Sequence, residues 1–186
     1  GAGQVIHVGD LVDRGPDSRG VIDHLMQGQA RGEDWVVLKG NHDRMFTRFM
    51  NDPGEPEPGL RSEYSWLHPK LGGATTLASY GVAKAAARPV PKVYSEALAA
   101  VPDAHRDYLS TLPTLHLAGD CVFVHAGLRP GVPLDQQTET DLKENVDKAA
   151  KVMNDWKLPA EGASGALDKL FKASQNTGVN FAQLSG

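Results

Sequence analysis

The chain has 186 residues, of which 40% are hydrophobic, and a formal net charge of −4. This length and apolar content suffice for one packed domain or slightly more, and the acidic balance excludes a general nucleic-acid or membrane-surface binder. No apolar run approaches the ~20 residues of a membrane span. Cys121 is the single cysteine, so an internal disulfide is impossible and a reducing, cytoplasmic location is predicted.

The first predicted element is a buried strand over Val5–Val8, which runs directly into Gly9 and Asp10. A carboxylate at the carboxyl end of such a strand lies where open α/β proteins bind ligands. Asp13 and Arg14 follow three residues later, and Pro16–Ser18 suits a helix start. One short turn therefore carries two carboxylates and a guanidinium group.

A second strand is predicted over Val36–Leu38, after an amphipathic helix over Gly20–Gln29. This strand–helix–strand alternation implies a parallel pair of strands joined by a crossover. The second strand ends in Gly-Asn-His-Asp at 40–43, and Met45–Met50 then continues as a helix that packs in the core.

The middle of the chain is predicted to hold a loop and an insert, followed by short helices and a hairpin. Three prolines and two glycines make 51–59 a loop. The insert begins as a helix within 60–71 and continues through 72–81. The remaining predicted elements are a linker over 83–91, helices over 94–101 and 102–109, and hairpin strands over 115–118 and 122–125.

Three motifs, each at the end of a predicted strand, appear in a fixed order: GDLVDRG at 9–15, GNHD at 40–43 and HAGL at 125–128. This set resembles the calcineurin-like metallophosphatases, and within them the bacterial branch of the serine/threonine phosphoprotein phosphatases. The resemblance covers roughly residues 5–142. It implies an α/β fold, a layered sandwich of sheets flanked by helices, and an insert after the Asn-His motif that overhangs the site and sets the substrate.

Two parts of the family pattern are absent, so the expected fold is incomplete. The family opens with a GDxHG strand, whereas no Asp-x-His precedes Asp10, and the family's late metal-binding histidine has no counterpart after His125. We therefore expect a metallophosphatase core over 1–142, truncated at its N-terminus, and a helical C-terminal segment of unassigned origin over 143–186. That segment continues an apolar stripe, Leu142 to Trp156, which could pair with another chain.

The resemblance implies metal ligands at Asp10, Asn41 and His125. Asp10 corresponds to the bridging carboxylate, Asn41 to a neutral oxygen ligand and His125 to an imidazole ligand of the same metal. A complete site of this family holds two divalent metals, and mixed imidazole, amide and carboxylate ligands suit Mn, Fe or Zn.

The same resemblance implies catalytic roles for His42, Asp13 and Arg14. His42 corresponds to the general acid that protonates the leaving oxygen, and Asp13 to the partner that orients its ring. Arg14 corresponds to a planar phosphate grip. Asn41 and Arg129 are further predicted substrate contacts.

The implied activity is hydrolysis of phosphoric monoesters by metal-bound hydroxide at a dinuclear site, chiefly of phosphoserine or phosphothreonine in proteins. Dinucleoside polyphosphate hydrolysis is one alternative. An inactive fragment or pseudoenzyme is another, because half of the metal shell is missing. The expected partners are a phosphorylated protein or a small phosphoester, with no nucleic acid and no membrane, and nothing in the sequence specifies an oligomeric state.

Overall fold

A computed structural model describes residues 3–55, 57, 64–119, 121–128, 132, 133 and 136. The chain divides into two compact units, Gly1–His125 and Ala126–Gly186. In the second unit, the described residues include a turn in which the Gln136 N–H donates to the Pro133 carbonyl at 3.0 Å. Arg129 and the segment 143–186 lie outside the described residues, so the domain boundary and the roles assigned there stay predictions.

The first unit begins with a parallel pair of strands joined by a helix, as predicted. Strand β1 spans Val5–His7, helix α1 spans Ser18–Ala30 and strand β2 spans Trp35–Val37. The Asp17 side chain caps α1 by accepting the Gly20 N–H at 2.9 Å, which satisfies one of the helix's free donors. The strand partners are Val5 with Trp35, Ile6 with Val36 and His7 with Val37.

Helix α2, Asn41–Asn51, begins at the Asn-His turn and forms the centre of the core. Its apolar residues repeat at helical spacing, so one face is buried, which confirms the predicted packing. The Phe46 ring meets the Trp66 ring edge-on with centroids 5.6 Å apart, and Phe49 lies 4.8 Å from the same indole.

The insert differs from the prediction in its first half. The described residues 64–71 contain no helix, and 66–71 form successive turns. Their bonds are short-range, as where the His68 N–H donates to the Ser65 carbonyl at 2.9 Å, and Pro69 has no N–H to continue a helix. The turns direct Trp66 inward, where only 4% of it is exposed. Helix α3 then spans Gly73–Ser79.

Two further helices pack around this core. The predicted linker over 83–91 is wrong in part, because it holds a 3₁₀ turn at Ala85–Ala87 and the first residues of α4, Val90–Ala100. Pro91 lies in the first turn of α4, where its missing N–H costs nothing. Helix α5 spans Asp103–Thr111. Across the part of the chain that the structure describes, no helix combines the length and apolar character needed to cross a membrane.

An antiparallel hairpin completes the first unit. Strands β3, Leu115–Ala118, and β4, Cys121–Val124, pair as predicted, with Leu115 opposite Val124. The hairpin lies beside β1, because His116 hydrogen-bonds the Gln4 side chain at 3.0 Å. His125, which follows β4 directly, is thereby brought to the same end of the molecule as the loops after β1 and β2.

Candidate active site

The loops that follow β1 and β2 pack backbone against backbone, which requires glycine in both motifs. Gly9 has φ +92°, and a Cβ there would lie 2.4 Å from the Gly40 nitrogen. A Cβ on Gly40 would lie 2.3 Å from Asp10 Oδ1. Because real Cβ atoms do not approach that closely, only glycine lets the Asp10 and Asn41 loops meet.

The carboxylate of Asp43 links these two loops by accepting hydrogen bonds from both of them. Its Oδ2 accepts the Asp10 N–H at 2.9 Å and the Gly40 N–H at 2.7 Å, and its Oδ1 accepts the Leu11 N–H at 2.9 Å. Asp43 is fully buried. Burial raises the pKa of this carboxyl group to about 6, although the backbone N–H groups act in the opposite direction. From the sequence, Asp43 is predicted only to complete the GNHD motif.

Replacement of Asp43 by asparagine is expected to lower the free energy of unfolding by about 2–4 kcal/mol. The amide keeps one acceptor oxygen, and its NH₂ group would face a backbone N–H that has lost its partner. Urea denaturation at pH 8, where the wild-type carboxyl is ionised, measures the change. Because the raised pKa of that carboxyl already lowers wild-type stability at this pH, the lost hydrogen bonds must outweigh relief of the buried charge. Asp52→Asn at the exposed end of the same helix is the matched control. Equal stability of the two variants would show that Asp43 does not stabilise the fold by linking the two loops.

The predicted metal ligands Asp10, Asn41 and His125 converge in the structure. His125 Nδ1 lies 2.7 Å from the Val8 carbonyl oxygen, which can only accept, so Nδ1 carries a hydrogen. In the neutral ring Nε2 then presents a lone pair, and it lies 3.2 Å from Asp10 Oδ1 and 3.1 Å from Asn41 Oδ1. Three acceptor atoms facing one another repel unless a proton or a cation lies among them.

The two distances from His125 Nε2 are compatible with a shared divalent cation. Ligand atoms at about 2.1 Å from a metal lie about 3.0–3.4 Å from one another in octahedral or tetrahedral geometry, which matches both distances. Among the residues that the structure describes, no three His, Cys, Asp or Glu side chains form a group that could hold a metal ion. The converging set instead comprises one carboxylate, one imidazole and the amide of Asn41, which leaves coordination positions open.

His42 and Asp13 form a buried pair beside this convergence. His42 Nδ1 lies 2.6 Å from Asp13 Oδ2, and the Asp13 side chain is fully buried. The Trp66 indole N–H donates to the same oxygen at 2.9 Å, and the Thr76 hydroxyl donates to Asp13 Oδ1 at 2.7 Å. The carboxylate therefore has a partner for each oxygen, as a buried charge requires.

The surroundings of His42 favour its protonated form. Burial lowers the pKa of the imidazole, but the hydrogen bond and charge of Asp13, together with the charge of Asp10, outweigh burial and raise the pKa above its usual value. Arg14 acts in the opposite direction. Because Nδ1 faces Asp13, Nε2 of the protonated ring is the nitrogen left to donate a proton.

Arg14 lies at the exposed edge of the same loop. One of its terminal nitrogens donates to the Lys70 carbonyl at 3.1 Å. Within the described ranges it forms no ion pair with a carboxylate, whereas Arg44 is buried against Glu57. Its guanidinium group therefore keeps N–H donors for an incoming anion. It also lies close enough to His42 for its charge to act on the pKa of that imidazole.

The partners that hold Asp13 come from distant parts of the chain and were not predicted from the sequence. Trp66 and Thr76 lie 53 and 63 residues along the chain from Asp13, and Ser18 Oγ lies 3.2 Å from Thr76 Oγ1. No local pattern predicts such contacts. The one available signal was general: a carboxylate placed in a buried turn needs donors from elsewhere in the fold.

The donors that converge around Asp10, together with the adjacent His42–Asp13 pair, form the candidate active site. The family model described as calcineurin-like phosphoesterase matches residues 3–182, which includes most of the segment 143–186. The chain belongs to this family, and with it to the metal-dependent phosphoric ester hydrolases. The predicted fold class, an incomplete α/β fold of this type, is confirmed. No match was found among curated proteins.

Proposed function

We propose that the chain hydrolyses phosphoric monoesters, with phosphoserine and phosphothreonine in proteins as the principal substrates. The observation that carries this proposal is the Asp13–His42 pair beside the convergence of Asp10, Asn41 and His125. Those three residues would hold a divalent cation, Mn, Fe or Zn, with a second metal expected in a complete site. A bound cation would supply Lewis-acid stabilisation of the phosphate charge and activation of the water that attacks phosphorus.

The chain's own groups would orient the ester and protonate the leaving oxygen. Arg14 binds two phosphate oxygens through its planar guanidinium group and orients the ester. The protonated His42 donates its Nε2 proton to the leaving alkoxide oxygen, which is a poor leaving group without it. Asp13 keeps the ring in place and stabilises its charged form. Asn41 and Arg129 are proposed as further contacts to the substrate.

A protein substrate is favoured over a dinucleoside polyphosphate because the Asp13-Arg14 pair follows Gly9-Asp10 as in the protein-phosphatase branch. The proposed partner is a phosphorylated protein or a small phosphoester, without nucleic acid or membrane. The exposed thiol of Cys121 supports a reducing compartment, which is the basis for proposing a cytoplasmic location.

A phosphate-release assay with Mn²⁺, Zn²⁺ or Fe²⁺ tests the proposal. We expect release from a phosphoserine peptide to exceed that from a dinucleoside polyphosphate by about tenfold or more. A chelator should abolish the activity and added metal should restore it. The reverse substrate preference would favour the polyphosphate hydrolase.

An inactive scaffold is the second candidate, and the small donor set favours it. Within the described residues the convergence offers three ligand atoms and no carboxylate besides Asp10. Loss of partners outside the direct ligand shell alone costs about 10–100-fold in affinity or activity. Absence of turnover with every metal, together with substoichiometric metal by elemental analysis, would identify the chain as a scaffold.

A further inference from the structure

A second network of hydrogen bonds lies outside the site and joins the buried Tyr80 and His105 to the partly exposed Asp23. The Tyr80 hydroxyl lies 2.9 Å from His105 Nδ1, and His105 Nε2 lies 3.0 Å from Asp23 Oδ1. His105 is 5% exposed and Tyr80 is 6% exposed. The three residues belong to different parts of the fold, since Tyr80 ends α3, His105 lies on α5 and Asp23 lies on α1.

The proton positions in this network follow from the residues at its two ends, Asp23 and Tyr80. An ionised Asp23 carboxylate can only accept, so His105 Nε2 carries the hydrogen and donates it. Nδ1 of the neutral ring is then an acceptor, and the Tyr80 hydroxyl donates to it. Burial, followed by the charge of Asp23, raises the pKa of Tyr80, whereas Arg19 lowers it and Asp17 raises it further, so the hydroxyl keeps its hydrogen.

This chain of hydrogen bonds ends one helical turn from the residue that holds Asp13. The Tyr80 N–H donates to the Leu77 carbonyl at 3.1 Å, and the Ser79 hydroxyl donates to the Thr76 carbonyl at 2.7 Å. Thr76 in turn donates to Asp13 Oδ1 at 2.7 Å. Helix α3 is only seven residues long. Because Thr76 and Tyr80 are only one turn apart, a shift of the helix at Tyr80 also shifts Thr76.

We propose that Tyr80, His105 and Asp23 fix α3 against α1 and α5 so that Thr76 holds Asp13, and Asp13 in turn holds His42. Tyr80 and His105 are then positioning residues for the proposed hydrolysis, without contact to the substrate. The inference rests on the proposed function for its kinetic consequence. Its structural part, rigidity transmitted from Tyr80 to Asp13, does not depend on activity.

Tyr80→Phe tests this inference, with Tyr108→Phe as a matched control. Both variants delete one tyrosine hydroxyl that hydrogen-bonds across helices, but the Tyr108 hydroxyl donates to Gln29 Oε1 at 3.0 Å and links α5 to α1 alone. NMR hydrogen exchange follows the Asp13 amide, which donates to Thr76 Oγ1 at 2.8 Å, and the Trp66 indole N–H. We expect both protons to exchange about tenfold faster in Tyr80→Phe and unchanged in Tyr108→Phe.

The kinetic readout separates a positioning role from a general loss of stability. Tyr80→Phe should lower kcat by about three- to tenfold at unchanged KM, less than the typical 10–100-fold cost of losing a direct supporting partner, because Tyr80 acts on Asp13 only through Thr76. His105→Asn removes the central residue of the hydrogen-bond network. It should reproduce the faster exchange and the lower kcat if Tyr80→Phe proves too unstable to study. Equal exchange in both tyrosine variants, or faster exchange throughout the protein, would overturn the inference. Absence of phosphatase activity in the wild type would refute the proposed function and leave the exchange result to decide this one.

Discussion

Replacement of His42 by asparagine is expected to lower kcat for a phosphoserine peptide by about 10²–10⁴-fold, the range for loss of a positioned proton donor. The serine alkoxide is strongly basic and leaves slowly unless it is protonated. p-Nitrophenolate leaves readily without a proton, so the same variant should lose far less activity toward p-nitrophenyl phosphate. KM should change little for either ester, because the interaction is made only in the transition state.

The pH dependence of wild-type activity tests independently whether His42 is the proton donor. Asp13 and Asp10 outweigh burial and raise the pKa of His42, so the acid form persists above the usual imidazole range. Activity toward the alkyl ester should therefore fall as the pH rises through that raised pKa, and His42→Asn should lack this alkaline decline. His24→Asn, at an exposed position on α1, is the control. Equal losses for both esters would show that His42 is not the proton donor.

The convergence around Asp10 could be anticipated from the sequence because each member follows a strand. Val5–His7 and Trp35–Val37 are short, β-branched or aromatic segments, and parallel strands bring their carboxyl ends to one edge. Asp10 lies three residues after the end of β1, and Asn41 lies four residues after the end of β2. His125 follows β4, and its approach to Asp10 depends on the hairpin lying beside β1, which strand order alone does not specify.

The support of the site could not be anticipated, because it depends on contacts between distant parts of the chain. Trp66 was expected within a helix of the insert, whereas the structure buries it through turns so that its indole N–H reaches Asp13. Burial of one large aromatic side chain outweighs the weak helix propensity of so short a segment. The role of the Asp43 side chain could not be anticipated either. It accepts hydrogen bonds from three backbone N–H groups in two loops, and those contacts form only in the folded protein.

Backbone strain explains why these supports are needed. Asp10 and Asp13 have φ of 57° and 80°, in the left-handed region that costs a non-glycine residue about 1–2 kcal/mol. Aspartate tolerates this conformation better than most residues, but the loop still needs compensating bonds. Asp43 supplies them at the Asp10 amide, and Thr76 supplies one at the Asp13 amide at 2.8 Å. The strained turn is thus held from both sides.

Replacement of Asp10 by asparagine is expected to weaken Mn²⁺ binding by more than about 100-fold and to lower kcat/KM by a similar factor. Loss of a direct charged ligand should exceed the 10–100-fold cost of losing a supporting partner. The fold should persist, because asparagine also accepts the left-handed backbone and its oxygen can still accept the His42 N–H, which donates to Asp10 Oδ1 at 3.1 Å.

The measurement that isolates this effect is the rise in thermal unfolding temperature when Mn²⁺ is added, since a ligand bound only by the folded state stabilises it in proportion to the logarithm of its concentration. Wild-type protein should show the rise and Asp10→Asn should not. Asp17→Asn is the matched control, because asparagine caps α1 as well as aspartate does. If Asp10→Asn kept the full Mn²⁺-dependent rise, the three converging acceptor atoms would not be the metal site, and the charge of Asp10 would serve only to raise the pKa of His42.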